Sequence, residues 1–256
     1  MLIYVIISNS FKRSVIKMLE IKNLSVAYDE LLVLNEVNLQ IADGEIYTIV
    51  GPSGCGKSTL LKAIAGLLTE YSGKVLFNGD TISAKKHTIG YIPQSYGLLP
   101  WKTVEQNITL ALKIKGLPLV LDGKSVVDEV LKRTRLFAHK KKFPSALSGG
   151  QKQRVSIARA FVLKPDVLLM DEPFSALDAL TKEDMQQFFL NIWKGCSGST
   201  LFITHDIEEA VFLGEKVVVM LPGKDIQVLE SPHADRASED FVRICSQIRK
   251  MMREGR

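Results

Sequence analysis

Gly51-Pro52-Ser53-Gly54-Cys55-Gly56-Lys57-Ser58-Thr59 carries glycines, a lysine and a hydroxyl at the spacing of a loop that cradles phosphates. Glycines at 51, 54 and 56 let the backbone curl with its N–H groups inward, forming an anion nest at the positive end of the following helix. Lys57 is placed to reach the β- and γ-phosphates of a nucleotide, and the Ser58 hydroxyl to ligate Mg2+. Cys55 fills a free position of the loop. A thiol at a helix N-terminus is expected to have a lowered pKa, to be alkylated readily and to be protected by ATP.

Two adjacent carboxylates supply the complementary chemistry. Val167-Leu168-Leu169-Met170 is a continuous apolar run, as in a central parallel strand covered on both faces, and it ends in Asp171-Glu172-Pro173. Ligands of open α/β sheets bind beyond the carboxyl ends of strands, so both acids should project to the crest where the phosphate loop lies. Asp171 suits Mg2+, which takes one or two carboxylates plus waters and phosphate oxygens. Glu172 is then placed to orient and polarise the attacking water. His205 follows a second strand candidate, Thr200 to Ile203, within reach of a γ-phosphate. Gln94 ends a short extended segment and offers a neutral ligand for Mg2+ or the water.

Leu147-Ser148-Gly149-Gly150-Gln151 sets a serine and two glycines at the opening of a helix, a second anion-binding end. One nucleotide needs only one such cradle. A chain with both suggests that ATP is shared between two copies, each contributing a different half.

The elements that must hold these groups are legible in the pattern. Glu45 to Val50 is apolar and β-branched enough for a buried strand running into Gly51. Beyond Lys57, Leu60, Leu61, Ile64, Ala65 and Leu68 recur at helical spacing. Met18 to Tyr28 alternates, with Leu19, Ile21, Leu24 and Val26 on one face, and Lys74 to Asp80 enters an Asn-Gly turn. Between Gln94 and Pro165 the pattern is helical. Thr103 with Gln106 forms a capping box, and Gly116 and Pro118 stop that helix. Ser148 with Gln151 forms a second box, opening a helix that runs until Pro165.

Together these residues resemble the ATP-binding subunit of an ABC transporter, from about Met18 to Gly223. Lys57 and Ser58 fall on the Walker A motif, Gln94 on the Q-loop, Leu147 to Gln151 on the family signature, and Asp171 and Glu172 on Walker B. Ser175-Ala176-Leu177-Asp178 falls on the D-loop and His205 on the switch histidine. Tyr28 stands where the family stacks an aromatic on adenine. The resemblance implies an α/β P-loop NTPase core with a mainly parallel sheet, an antiparallel β subdomain and a helical signature subdomain at about 95–165.

It also implies ATP and Mg2+ as cofactors and a head-to-tail dimer. Ser148, Gly149 and Gly150 of one copy, beside Gln151 and Asp178, would complete the γ-phosphate site of the other. The other partners implied are integral membrane permease subunits, reached through Leu98, Leu99, Pro100 and Trp101, and indirectly a solute-binding protein. The place implied is the cytoplasmic face of the cell membrane, with no nucleic-acid partner. The Leu-Pro-Trp element and the run Thr204 to Phe212 are similar to the nitrate/sulfonate/taurine branch of bacterial importers. The rival readings are a mechanical ABC ATPase on a non-transporting membrane complex, and a soluble one acting on nucleic acid or ribosomes. The latter usually carries two cassettes or a long coiled-coil insertion, and this chain shows neither.

Composition sets the outer bounds. At 256 residues and 46% hydrophobic content the chain can bury a full core. No apolar run approaches the roughly twenty residues needed to span a bilayer. Residues 1–17 read as an N-terminal appendage, because their basic residues follow the apolar run, the reverse of a secretory signal. Cysteines 55, 196 and 245 form no spaced pair, which fits a reducing compartment. The net charge of +5 is mild. Residues 224–256 read as an extension. In it Phe241, Ile244, Cys245, Ile248 and Met252 recur at helical spacing, predicting an amphipathic helix folded back on its own domain.

Overall fold

The computed structural model describes residues 18–121, 123–194, 196, 198–231 and 235–255. The expected N-terminal appendage, residues 1–17, lies outside them. The chain opens with two long strands, β1 (Met18–Tyr28) and β2 (Leu31–Ala42), joined by a tight turn. β3 (Ile46–Val50) leads into the phosphate-loop sequence and α1 (Lys57–Ile64). β4 (Ser72–Phe77), β5 (Asp80–Thr81) and β6 (Ile89–Ile92) follow. The insert comprises α2 (Val104–Lys115), the short hairpin β7 (Val120–Leu121) and β8 (Lys124–Ser125), α3 (Val126–Arg133) and α4 (Gly149–Phe161). The chain then returns through β9 (Val167–Asp171), α5 (Ala179–Trp193), β10 (Ser199–Ile203) and α6 (Ile207–Leu213). It closes with β11 (Lys216–Val219), β12 (Gln227–Glu230) and α7 (Glu239–Glu254).

The central sheet has the order β12-β11-β3-β10-β9-β6. β11, β3, β10, β9 and β6 run parallel, and only β12 is antiparallel. Every residue of β3 and of β10 is buried, including the hydroxyl residues Thr48, Ser199 and Thr200, as in parallel strands covered on both faces. Parallel alignment brings the carboxyl ends of β3, β9, β10 and β6 to one edge, and these are the ends that carry the candidate chemistry.

The second sheet, β2-β1-β4-β5, is antiparallel and closes over α1 and one face of the parallel sheet. In β1 the buried residues Leu19, Ile21, Leu24 and Val26 skip two positions rather than one between Ile21 and Leu24. The register with β2 shifts there, and Asn23 has φ 49°. This bulge absorbs one residue, so that both halves of the strand keep their apolar side inward. The turn after β4 uses Asn78 and Gly79 at φ 54° and 83°, as the dipeptide predicts.

Apolar spacing predicts that α1 continues to Leu68, but the helix ends at Ile64. Gly66 takes φ 70° and ends the helical backbone within one turn. In the insert both predicted capping boxes form, and Gly116 closes α2 in the left-handed region. A separate apolar cluster around Ile108, Leu131 and Val155 holds its helices together. Along α7, Phe241, Ile244, Cys245 and Ile248 are buried against Val211, Val217 and Val219 of α6 and β11. No helix among the described residues is long and apolar enough to cross a membrane.

Candidate nucleotide site

The loop from Gly51 to Gly56 leaves β3 and turns into α1 with Gly56 at φ 98° as its N-cap residue. Gly51 is a close-approach position, because a Cβ there would lie 2.1 Å from the Met220 carbonyl oxygen. Pro52 and Thr59 are half-buried, and Ser53 and Gly54 form the exposed tip. The Lys57 ammonium is buried and donates to the Gly51 and Pro52 carbonyl oxygens, 2.9 Å each. An anion in the nest must draw it away from these carbonyls.

Cys55 departs from expectation. Its side chain is buried, and burial pushes the thiol above its ordinary pKa, a shift that the nearby Lys57 charge only partly opposes. Proximity to a helix N-terminus lowers a thiol pKa only where solvent or a counter-charge can stabilise the thiolate, and here desolvation outweighs it.

Ser58 and Asp171 meet across the strand edge, with the Ser58 hydroxyl donating to Asp171 Oδ1 at 3.2 Å. Burial and the adjacent Glu172 charge raise the Asp171 carboxyl above its usual range, against the Ser58 hydrogen bond, which lowers it. The Tyr91 hydroxyl also faces Asp171, and burial together with that carboxylate pushes the phenol upward. Nothing in the sequence distinguished Tyr91 from an ordinary strand residue; only its place in β6, beside β9, brings it to the carboxylate.

Glu172 follows β9 with φ 45°, a left-handed backbone for a residue with a side chain. Its Oε2 is 3.0 Å from His205 Nδ1 and accepts a weak hydrogen bond from Gln94 Nε2 at 3.4 Å. Gln94 and His205 come from the ends of β6 and β10, which flank β9 on either side. The side chains of Lys57, Ser58, Asp171, Glu172, Gln94 and His205 are thus assembled along one sheet edge.

The remaining residues lie elsewhere. Tyr28 ends β1 and is 45% exposed. Ser148 caps α4, with its hydroxyl accepting from the Gln151 N–H at 3.3 Å and its own N–H donating to Gln151 Oε1 at 3.1 Å. The Lys152 N–H goes to the Ser148 carbonyl. No acceptor among the described residues takes the Gly149 or Gly150 N–H, so both stay available at the helix start. Gly149 and Gly150 pack beside Leu177 and Thr181, not beside the phosphate loop. Asp178 caps α5 by accepting from the Thr181 N–H at 3.1 Å, and these bonds hold its carboxyl below the usual range. Within one chain, then, the signature residues are not joined to Lys57 or Glu172 by any hydrogen bond among the described residues.

Known proteins match much of this chain. The family model described as ABC transporter matches residues 34–175. The aliphatic sulfonates import ATP-binding protein of Bacillus cereus (strain ATCC 10987 / NRS 248) is 42% identical over 228 residues, covering 87% of this chain and 89% of that protein. The protein of the same description from Bacillus subtilis (strain 168) is 48% identical over 194 residues, 75% of this chain and 74% of its own length. A third, from Bacillus anthracis, is 40% identical over 228 residues.

Proposed function

The chain belongs to the ABC transporter family, and we propose that within it the protein is the ATP-hydrolysing subunit of an importer for aliphatic sulfonates. The observation that carries the proposal is the similarity to sulfonate importers over 87% of the chain, joined to a Glu172 carboxylate held by His205 and Gln94.

The phosphate loop binds the nucleotide by its inward N–H groups, and Lys57 exchanges its two loop carbonyls for phosphate oxygens. The residues present fit a divalent cation. A hydroxyl and a carboxylate oxygen sit side by side at 3.2 Å, and no group of three acidic, histidine or cysteine ligands stands near them among the described residues. That is a site for an ion that completes its shell with water and phosphate. Ser58 and Asp171 would hold Mg2+, with Gln94 at its margin, and the ion would neutralise charge on the β- and γ-phosphates.

Both contacts to Glu172 go to Oε2, which leaves Oε1 to take a proton from the attacking water. His205 and Gln94 fix the direction of that carboxylate. The Gly149 and Gly150 N–H groups and the Ser148 hydroxyl serve the γ-phosphate of a second copy in a head-to-tail dimer, with Asp178 beside them. Tyr28 stacks on adenine from the exposed end of β1. Trp101, 69% exposed, and its neighbours Leu98 to Pro100 meet the permease at the membrane surface.

The test is reconstitution in vesicles with the permease and solute-binding protein that co-purify with it from solubilised membranes. Ethanesulfonate is expected to stimulate ATP hydrolysis and to accumulate inside, and nitrate to do neither. Stimulation by nitrate alone would overturn the substrate class. Hydrolysis that is indifferent to both would overturn the import reading.

A further inference from the structure

A cavity of about 530 Å³ lies away from the nucleotide edge, where the insert meets the core. Its walls come from α3, the C-terminal end of α4 and the C-terminal end of α5, through Val130, Phe161, Ile192 and Trp193. The volume falls in the range of small-molecule sites, roughly 300–1,000 Å³, which are mostly apolar with a few placed polar groups. Trp193 packs edge-on against Phe161 and stacks on Phe189, with ring centroids 5.9 and 6.1 Å apart.

The rim is cationic. Lys124, Arg133 and Lys164 line the mouth against Glu129, the one carboxylate among the described lining residues. Arg133 also lines a second, adjoining cleft that adds Arg135 and Arg154 against Asp184. Burial, and after it the Arg135 charge, push the Arg154 guanidinium below its ordinary value, with Asp184 opposing the shift.

A cavity of this size, with Val130, Phe161, Ile192 and Trp193 on its walls and Arg133, Lys124 and Lys164 at its mouth, selects a particular chemistry. We propose that this cavity binds a medium-chain alkyl anion, the chain against Val130, Phe161 and Trp193 and the anionic head between Arg133 and Lys164. Two sources have that chemistry, an alkanesulfonate and a fatty-acid carboxylate. The assignment stands whether or not the protein serves a sulfonate importer, because it rests on the walls and rim alone.

The chain has two tryptophans, so Trp101→Phe leaves Trp193 as the sole indole reporter. This variant is titrated with 1-octanesulfonate, octanoate and octan-1-ol, with calorimetry as a second readout. The expected result is saturable, one-to-one binding of at least one anion, with a change in Trp193 emission. Whichever anion binds more tightly identifies the source. Adding Arg133→Ala and Lys164→Ala should weaken the anions by about tenfold or more, as loss of charge-assisted hydrogen bonds does, and change octan-1-ol by less than about twofold. Val130→Phe, which fills the chamber, should abolish binding. Unchanged ATP affinity shows that each variant is folded. No saturation with either anion, an equal response to octan-1-ol, or binding indifferent to both the rim and the filling variant would overturn the proposal.

Discussion

Replacing Glu172 by glutamine keeps the side-chain length and the neighbours His205 and Gln94 while removing the proton acceptor. ATP affinity should stay near that of the parent, and turnover should fall by at least about a hundredfold, the usual scale of general-base loss. Equilibrium nucleotide binding and steady-state phosphate release measure the two separately. Near-parental turnover would move the base elsewhere. At Cys55 the structure reverses the expectation of a reactive thiol. Burial raises both thiols, so exposure decides between them: the buried Cys55 should be alkylated by iodoacetamide more slowly than the partly exposed Cys196, as peptide mass spectrometry would show. Lys57, Ser58, Asp171, Glu172, Gln94 and His205 were legible from the sequence because strand ends in a parallel sheet converge, a rule that needs no coordinates. Cys55 was not, because its pKa depends on burial depth, which the spacing of a loop does not encode. Tyr91 was not, because its contact with Asp171 comes from which strand lies beside β6.

Among the elements, α7 contributes a face of four buried side chains to α6 and β11. Ile248 is 0% exposed, so Ile248→Ala should lower unfolding free energy by about 2–5 kcal/mol, seen as a lower urea midpoint. The loop between β10 and α6 is pinned by ionic contacts, with Lys182 2.7 Å from Asp206 and 3.4 Å from the buried Glu209. Burial alone would raise the Asp206 carboxyl. The Lys182 bond and the Glu209 and Glu208 N–H groups outweigh it and hold the group below its ordinary value. A carboxyl depressed in the folded state stabilises above its unfolded pKa of about 3.9, and that contribution is lost as pH falls through the lower folded value. Lys182→Met should therefore shrink the stability lost between about pH 5 and pH 2, read from denaturation midpoints across that window. The fold at this scale was largely readable. Runs such as β3, β9 and β10 and the two capping boxes announce themselves in residue types. The bulge at Asn23 and the early end of α1 at Gly66 did not, since each is a local backbone choice that an alternation or a helical period passes over.

At the scale of the whole molecule the signature helix and the phosphate loop face different neighbours, and the proposed remedy is a second copy. Ser148→Arg places bulk and charge where the γ-phosphate of that copy would sit. It should abolish ATP-driven dimerisation of Glu172→Gln protein in size-exclusion chromatography while leaving monomer ATP binding intact. Dimerisation that survives it would place the shared site elsewhere. Which surface meets a partner could not be read from one chain's pattern, because capping boxes look alike whether or not a ligand from another molecule arrives at them. The left-handed backbone at Glu172 carries a different consequence. A side chain there costs about 1–2 kcal/mol that glycine would not incur, offset in part by the greater freedom of glycine when unfolded. Glu172→Gly should thus leave melting temperature unchanged or raise it while hydrolysis disappears. A population screened only for survival of heat would drift toward a sturdier protein that no longer does work.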